Sequence, residues 1–349
     1  MSSLQNSLLI VGGLTLVGVV LYNLWTARQN SPRQAAPESS GSGLDSSLNS
    51  SLADRKDPQD PSFLDDALDI LPVPEKKPPL DALIDVIAAI EVDAQVSGDA
   101  ALAALPATRR VGTKPFAVEG LNDTTGEWEM PVAGRRYHLF QAGVQLANRV
   151  GALNEIEFSE FVIKAQAFAD SIGGSPEFPD MLEEVARARE LDQYASAHDA
   201  QLSFTLCATS AAWSPGYIQQ HAARWGFVAG VIPGRMVLAA AVQGLPPILS
   251  LSFDTQAAMA DDPALSAIRE FTLSLDVPQV PREEQAFARL REAARILGKE
   301  MDGVITDGAG HALNDSDLNA IALDLEQLYD ALDQRELSAG SPQARRLFS

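Results

Sequence analysis

Residues 270–303 read EFTLSLDVPQVPREEQAFARLREAARILGKEMDG. Phe271, Leu273, Leu275 and Val277 alternate with Thr272, Ser274 and Asp276. That period of two predicts a strand with one buried face. Pro278 and Pro281 break it. From Arg282 onward Phe287, Leu290, Ala294, Leu297 and Met301 recur at helical spacing, with Arg289, Glu292, Arg295 and Lys299 on the other side. Gly303 closes the unit, as a glycine beyond a helix end does.

The same strand–helix unit occurs earlier, at a constant offset and without a gap. Ala142, Val144 and Leu146 stand where Phe271, Leu273 and Leu275 stand. Phe158, Phe161, Ala165, Phe168 and Ile172 match Phe287, Leu290, Ala294, Leu297 and Met301, and Gly174 matches Gly303. The pattern predicts an internal duplication, which changes the domain count. A chain of 349 residues exceeds one ordinary core and suits two domains plus extensions.

Composition narrows the function. A formal charge of −21 opposes binding to nucleic acid, whose phosphates need Lys and Arg, and opposes a folded part lying flat on anionic lipid. The one cysteine, Cys207, leaves no internal disulfide and no cysteine-based zinc cluster. Its place in an apolar strand marks it as a small buried hydrophobe or a face residue.

The N-terminus is apolar. Residues 8–22 carry no charge, and 4–25 supply the roughly 20 helical residues that cross a ~30 Å hydrocarbon core. Tyr22 and Trp25 would sit at the interface. Arg28 and Arg33 follow the segment and no Lys or Arg precedes it, so the positive-inside rule puts the rest of the chain in the cytoplasm, with a very short outside N-terminus. A cleaved signal peptide is the rival reading; it would need basic residues at the start and a clear small-x-small cleavage site. Beyond the anchor at 1–27, residues 28–79 are rich in Ser, Pro, Gln and Asp and read as a disordered linker. Within it Phe63, Leu64, Leu68, Ile70 and Leu71 form a small apolar cluster.

Two α+β modules are expected next, over 80–196 and 197–337, with 338–349 a flexible tail. Each reads strand–helix–strand–strand–strand–helix, then a further helix. Ser97 and Ser214-Pro215 are helix starts, and Asp315 or Ser316 is expected to cap the last long helix. Residues 195–198 read as a short joint. A mostly antiparallel sheet with helices on one face satisfies this order and leaves the other face for function.

No phosphate loop or dinucleotide fingerprint is present. The turn Asp307-Gly308-Ala309-Gly310-His311 lacks calcium-loop spacing. His138, His198, His221 and His311 are scattered, and the carboxylates sit on helix faces and linkers. The sequence therefore nominates no catalytic residue, cofactor or metal, and a non-enzymatic role is expected.

The second module resembles the C-terminal FtsZ-binding domain of the ZipA family of membrane-anchored bacterial cell-division proteins. Pro247-Ile248-Leu249-Ser250-Leu251, Phe271-Thr272-Leu273-Ser274-Leu275-Asp276-Val277-Pro278, the helix over 287–297 with Gly303-Val304-Ile305, and the helix from Asp315 carry the resemblance, over about 200–332. The family's order is the order found here: a short outside N-terminus, one span, a Pro-rich cytoplasmic tether and a terminal α+β domain. The resemblance implies a split β-α-β fold, two tandem copies in this chain, and a septal protein that binds the C-terminal peptide of FtsZ on an open sheet face. Carried over, that face holds Thr205, Val237, Ser252 and Ser274. Three of these four are small and polar where the family presents larger apolar groups.

Overall fold

The computed structural model describes residues 32–35, 80–242 and 244–349. The expected membrane span, most of the linker and the apolar cluster at 63–71 lie outside the described residues. No helix among the described residues is long and apolar enough to cross a membrane.

Among the described residues the chain is α+β, with two six-stranded antiparallel sheets, one two-stranded antiparallel pair and packed helices. Its first stretch runs β1 (Asp85–Ser97), α1 (Gly98–Ala104), β2 (Arg110–Val111), β3 (Lys114–Asn122), β4 (Trp128–Glu129), β5 (Arg136–Gln145), β6 (Ala147–Asn148), β7 (Gly151–Ala152), α2 (Glu155–Ile172), β8 (Gly174–Glu177) and α3 (Met181–His198). The second runs β9 (Gln201–Ala208), α4 (Pro215–Arg224), β10 (Phe227–Ala229), β11 (Arg235–Leu238), β12 (Leu249–Ser252), α5 (Thr255–Ala258), β13 (Glu270–Asp276), α6 (Ala286–Met301), β14 (Gly303–Thr306), α7 (Asp315–Gln334) and α8 (Pro342–Leu347).

The first sheet is ordered β2-β3-β5-β1-β8, with β4 paired to β3, and the second β10-β11-β12-β13-β9-β14. The two orders share a core. In each, the strand before the long helix neighbours the first strand, and the strand after the helix flanks that first strand on its other side. β1 pairs antiparallel with both β5 and β8, and β9 pairs antiparallel with β14. The residues matched by the sequence offset occupy corresponding places. Ala142 and Val144 on β5 are fully buried, as are Phe271 and Leu273 on β13. Gly174 opens β8 and Gly303 opens β14.

The first core is aromatic. Phe158, Phe161, Ala165 and Phe168 of α2 are buried. Phe161 lies 6.2 Å from Phe116 of β3, and Phe168 meets Phe140 of β5 edge-on at 5.5 Å. Full burial of each such ring contributes about 1.5–3 kcal/mol. α2 begins at a capping box: Asn154 accepts from the Ile156 and Glu157 amides, and the Glu157 carboxylate returns to the Asn154 amide. In the second sheet Trp213 packs at 5.4 Å against Phe271, and its indole N–H donates to the Met301 carbonyl at 2.9 Å.

Among the described residues two compact units separate. One holds Phe204–Leu273 and Glu292–Ala312 with 32–35; the other holds 80–203, Ser274–Arg291 and Leu313–Ser349. The first sheet therefore shares its unit with α7 and α8, while most of the second sheet forms the other.

Three expectations are corrected. Residues 195–198 are not a joint: α3 continues through them to His198, so a boundary at 196/197 would cut a helix whose Ala195 is buried. The last long helix is capped by Asn314, not Asp315 or Ser316; Asn314 accepts from the Ser316 and Asp317 amides in a second capping box. Residues 338–349 are not a flexible tail. Ser341 caps α8, and Ala344, Leu347 and Phe348 are almost wholly buried. Arg346 forms a bidentate pair with Asp85, at 2.9 and 2.5 Å, inside the unit that holds the first sheet. Burial raises the Asp85 carboxyl above its ordinary range even with Arg346 beside it.

Candidate partner-binding sheet face

Side-chain alternation decides which groups the second sheet offers. Phe204 and Leu206 of β9, Met236 of β11, Leu249 and Leu251 of β12, and Phe271, Leu273 and Leu275 of β13 are buried. The residues between them point the other way. Thr205, Val237 and Ser252 are half-buried on that outer face. Ser274 is half-buried between Leu273 and Leu275, on the part of β13 that belongs to the other compact unit. The structure thus brings Thr205, Val237 and Ser252 to one face of one unit, and gives Ser274 the same alternation on its own strand.

Register adds neighbours. Val237 stands opposite Val228 of β10 on one side and Ser250 of β12 on the other. Ser252 stands opposite Arg235. At the far edge Thr205 pairs with Thr306 and Cys207 with Val304. Val228 is 53% exposed and Val304 41%. The face therefore has a middle of small side chains (Ser250, Ser252, Thr272, Thr205, Cys207) between Val228 and Val237 at one side and Val304 at the other. Small side chains let an incoming backbone approach the sheet, and branched ones at the sides give it apolar contact.

Hydrogen bonding fixes part of this surface. The Thr306 hydroxyl donates to the Thr205 carbonyl at 3.2 Å and lies 3.7 Å from the Cys207 sulfur. Thr306 is 7% exposed, so its hydroxyl is committed to the sheet. Arg235 and Glu270 are the exposed charged groups at strand ends on this side. The face can therefore grip by shape, apolar contact and hydroxyl hydrogen bonds.

Neither Val228 nor Val304 stands out in the sequence as a residue of this face. β10 has three residues, too few for alternation to declare a strand, whereas β14 was readable and its outward valine could have been found from the pairing of Ile305 with Leu206. The histidines are dispersed. His221 is buried 3.1 Å from Glu300, His138 contacts Asp123, His198 stacks on Tyr194 and His311 lies 3.3 Å from Asp307. Among the described residues no three His, Cys, Asp or Glu side chains converge as metal ligands would.

Comparison with protein-family models finds no match for this chain, and comparison with curated proteins finds none either.

Proposed function

We propose that the chain is a membrane-anchored cell-division protein of the ZipA type, which tethers FtsZ filaments to the bacterial inner membrane by gripping the FtsZ C-terminal peptide on the outer face of the second sheet. Residues 4–25 would hold one end in the bilayer, with the α+β modules in the cytoplasm at the septum. The two modules would be diverged tandem copies; their common strand order supports this. The mechanism requires no catalysis. Several weak contacts along a filament add by avidity once the anchor confines them to one surface.

The observation that carries the reading is the outer face itself, small in the middle and valine-flanked, on the module whose sequence resembles the FtsZ-binding domain. Sedimenting FtsZ filaments with the full chain tests it. The expected result is co-sedimentation that is lost when the FtsZ tail is removed. No co-sedimentation with intact FtsZ would end the proposal.

The small polar side chains at Thr205, Ser252 and Ser274 favour one other reading, an adaptor for a different envelope or division protein with a more polar docking segment. Localisation separates the two. A mid-cell ring supports FtsZ; an even distribution along the envelope supports the adaptor.

A further inference from the structure

Residues 32–35 lie in the same compact unit as most of the second sheet, far in sequence from everything they touch. Arg33 pairs with Trp213 as a single residue of parallel ladder. Its N–H donates to the Ala212 carbonyl at 2.7 Å, and the Ser214 N–H donates to its carbonyl at 2.9 Å. On its other side Trp213 exchanges both backbone hydrogen bonds with Ile268, at 2.7 and 2.8 Å. The linker segment is thus bridged to Trp213 through one residue, by the same kind of backbone pairing through which extended peptides join sheets.

The side chain enters a prepared set of acceptors. One terminal nitrogen of Arg33 donates to the Met301 carbonyl at 2.9 Å. The other donates to Asp302 Oδ2 at 3.0 Å and to the Ser210 hydroxyl at 3.2 Å. Met301 is the last residue of α6, so its carbonyl belongs to the electron-rich end of the helix, where cations are favoured. The same carbonyl accepts the Trp213 indole N–H. Asp302 sits in the left-handed region at φ 59°. Thr209 holds it there by donating its amide and hydroxyl to the Asp302 carbonyl, at 3.1 and 2.9 Å. The Ser210 hydroxyl donates to the Asp302 carboxylate at 2.7 Å. The Ser210, Thr209 and Arg33 contacts keep that carboxyl below its ordinary range. Across the start of α4, a Cβ placed on Gly216 would lie 3.7 Å from the Ala35 Cβ, so the segment runs close over the helix N-terminus.

We infer that the second unit carries an arginine-selective site for an extended peptide, and that residues 32–35 fill it in cis as a latch. The acceptors divide between two terminal nitrogens, the Met301 carbonyl on one and Asp302 with Ser210 on the other, which suits the fixed fork of a guanidinium better than the compact ammonium of lysine. The latch also divides the linker. Only six residues separate Trp25 from Pro32, seven Cα steps that span at most about 25 Å. On the membrane anchor proposed above, an occupied latch holds the second unit that close to the bilayer, and an arginine-bearing peptide that displaces it lets the unit move out.

The test uses the full chain and a fluorescent peptide Ser-Pro-Arg-Gln-Ala-Ala-Pro, copied from 31–37. Wild type should bind it at least tenfold more weakly than Arg33→Ala, because the tethered copy competes at an effective concentration of about millimolar. In Arg33→Ala the lysine version of the peptide should bind at least tenfold more weakly than the arginine version, and adding Asp302→Asn should weaken the arginine version at least tenfold. Exchange of the Ser214 amide should quicken severalfold in Arg33→Ala and slow again when the peptide is added. Equal binding by wild type and Arg33→Ala, no preference for arginine, or an unchanged Ser214 amide would each overturn the inference. Neither FtsZ nor a membrane enters the experiment, so its failure would leave the division reading standing, and the converse holds.

Discussion

The two sheets share the order of their core strands and differ on their outer faces. On the first sheet the end of that face around Asp85, Glu119 and Gln145 is covered by the chain itself, while Ile87, Ala117 and Leu139 beside it are half-buried. Asp85, Glu119 and Gln145 lie on it and are at most 4% exposed. Glu119 accepts the Leu80 amide at 3.0 Å and the Gln141 side chain at 2.8 Å. The Leu80 side chain lies over Gly143, where an added Cβ would come within 2.6 Å of its Cδ2. Arg346 takes the Asp85 carboxylate, and its carbonyl accepts from Gln145 at 2.8 Å. On the second sheet the corresponding groups are serine, threonine and valine, half-buried or exposed. Buried carboxylates need partners, so the first face depends on its covering segments. Among the described residues the second face holds no buried carboxylate of this kind. Divergence of two like modules, one with buried carboxylates held by covering segments on its outer face and one with small hydroxyl and valine side chains there, is the physical content of the functional proposal.

Substitutions can break or sharpen this contrast. The largest effect is expected at Phe348, 1% exposed beside α8. Phe348→Ala should cost about 3–4 kcal/mol in denaturant unfolding. Arg346→Met should cost about 3 kcal/mol at neutral pH, because it leaves a fully buried Asp85 carboxylate without its cation, held by the Asp81 amide alone. The sign of its pH dependence follows from the carboxyl's raised position. The native state binds that proton more tightly than the unfolded chain, and removing Arg346 raises the carboxyl further. The unfolded carboxyl is common to both chains, so the deficit relative to wild type grows as pH rises through the two raised folded-state values and shrinks to nothing as pH falls below the wild-type one. A deficit that grew on acidification would contradict this.

A matched pair comes next. Gly143→Val must displace Leu80 and should cost about 1–2 kcal/mol. Ser250→Val, on the outer face of the second sheet opposite Val237, should change stability by no more than about 0.5 kcal/mol. Equal costs at the two positions would mean the faces are not differently covered. The smallest effect on stability with a large effect on binding is expected at Val237. Val237→Asp should lower unfolding free energy by about 1 kcal/mol or less, yet reduce FtsZ co-sedimentation at least tenfold.

Much of this fold is legible in the sequence because its longer elements obey strong periods. The alternation in 270–277, the helical spacing through 286–301 and the serine caps at 97 and 214 all appear where they were read. The short strands were hidden. β2, β6, β7 and β10 have two or three residues each, too few to display a period. β8 contains Gly174 and Pro176, which read as breaks. The C-terminal segment looked dispensable because its burial depends on Asp85, some 260 residues away in sequence, and a lone Arg346 gives no local sign of that pairing. The outer-face positions were readable by parity alone. The contact of Arg33 was not: an arginine after an apolar run looks like a topology signal, and its acceptors are backbone carbonyls and side chains assembled only by the fold.

The central claim is that the second sheet, and not the first, presents the partner surface. Methyl chemical shifts of the full chain during titration with the FtsZ C-terminal peptide test it most directly. The expected result is perturbation at Val228, Val237 and Val304, with Ile87, Ala117 and Leu139 on the outer side of the first sheet unmoved. Perturbation confined to Ile87, Ala117 and Leu139, or at none of the six, would contradict it.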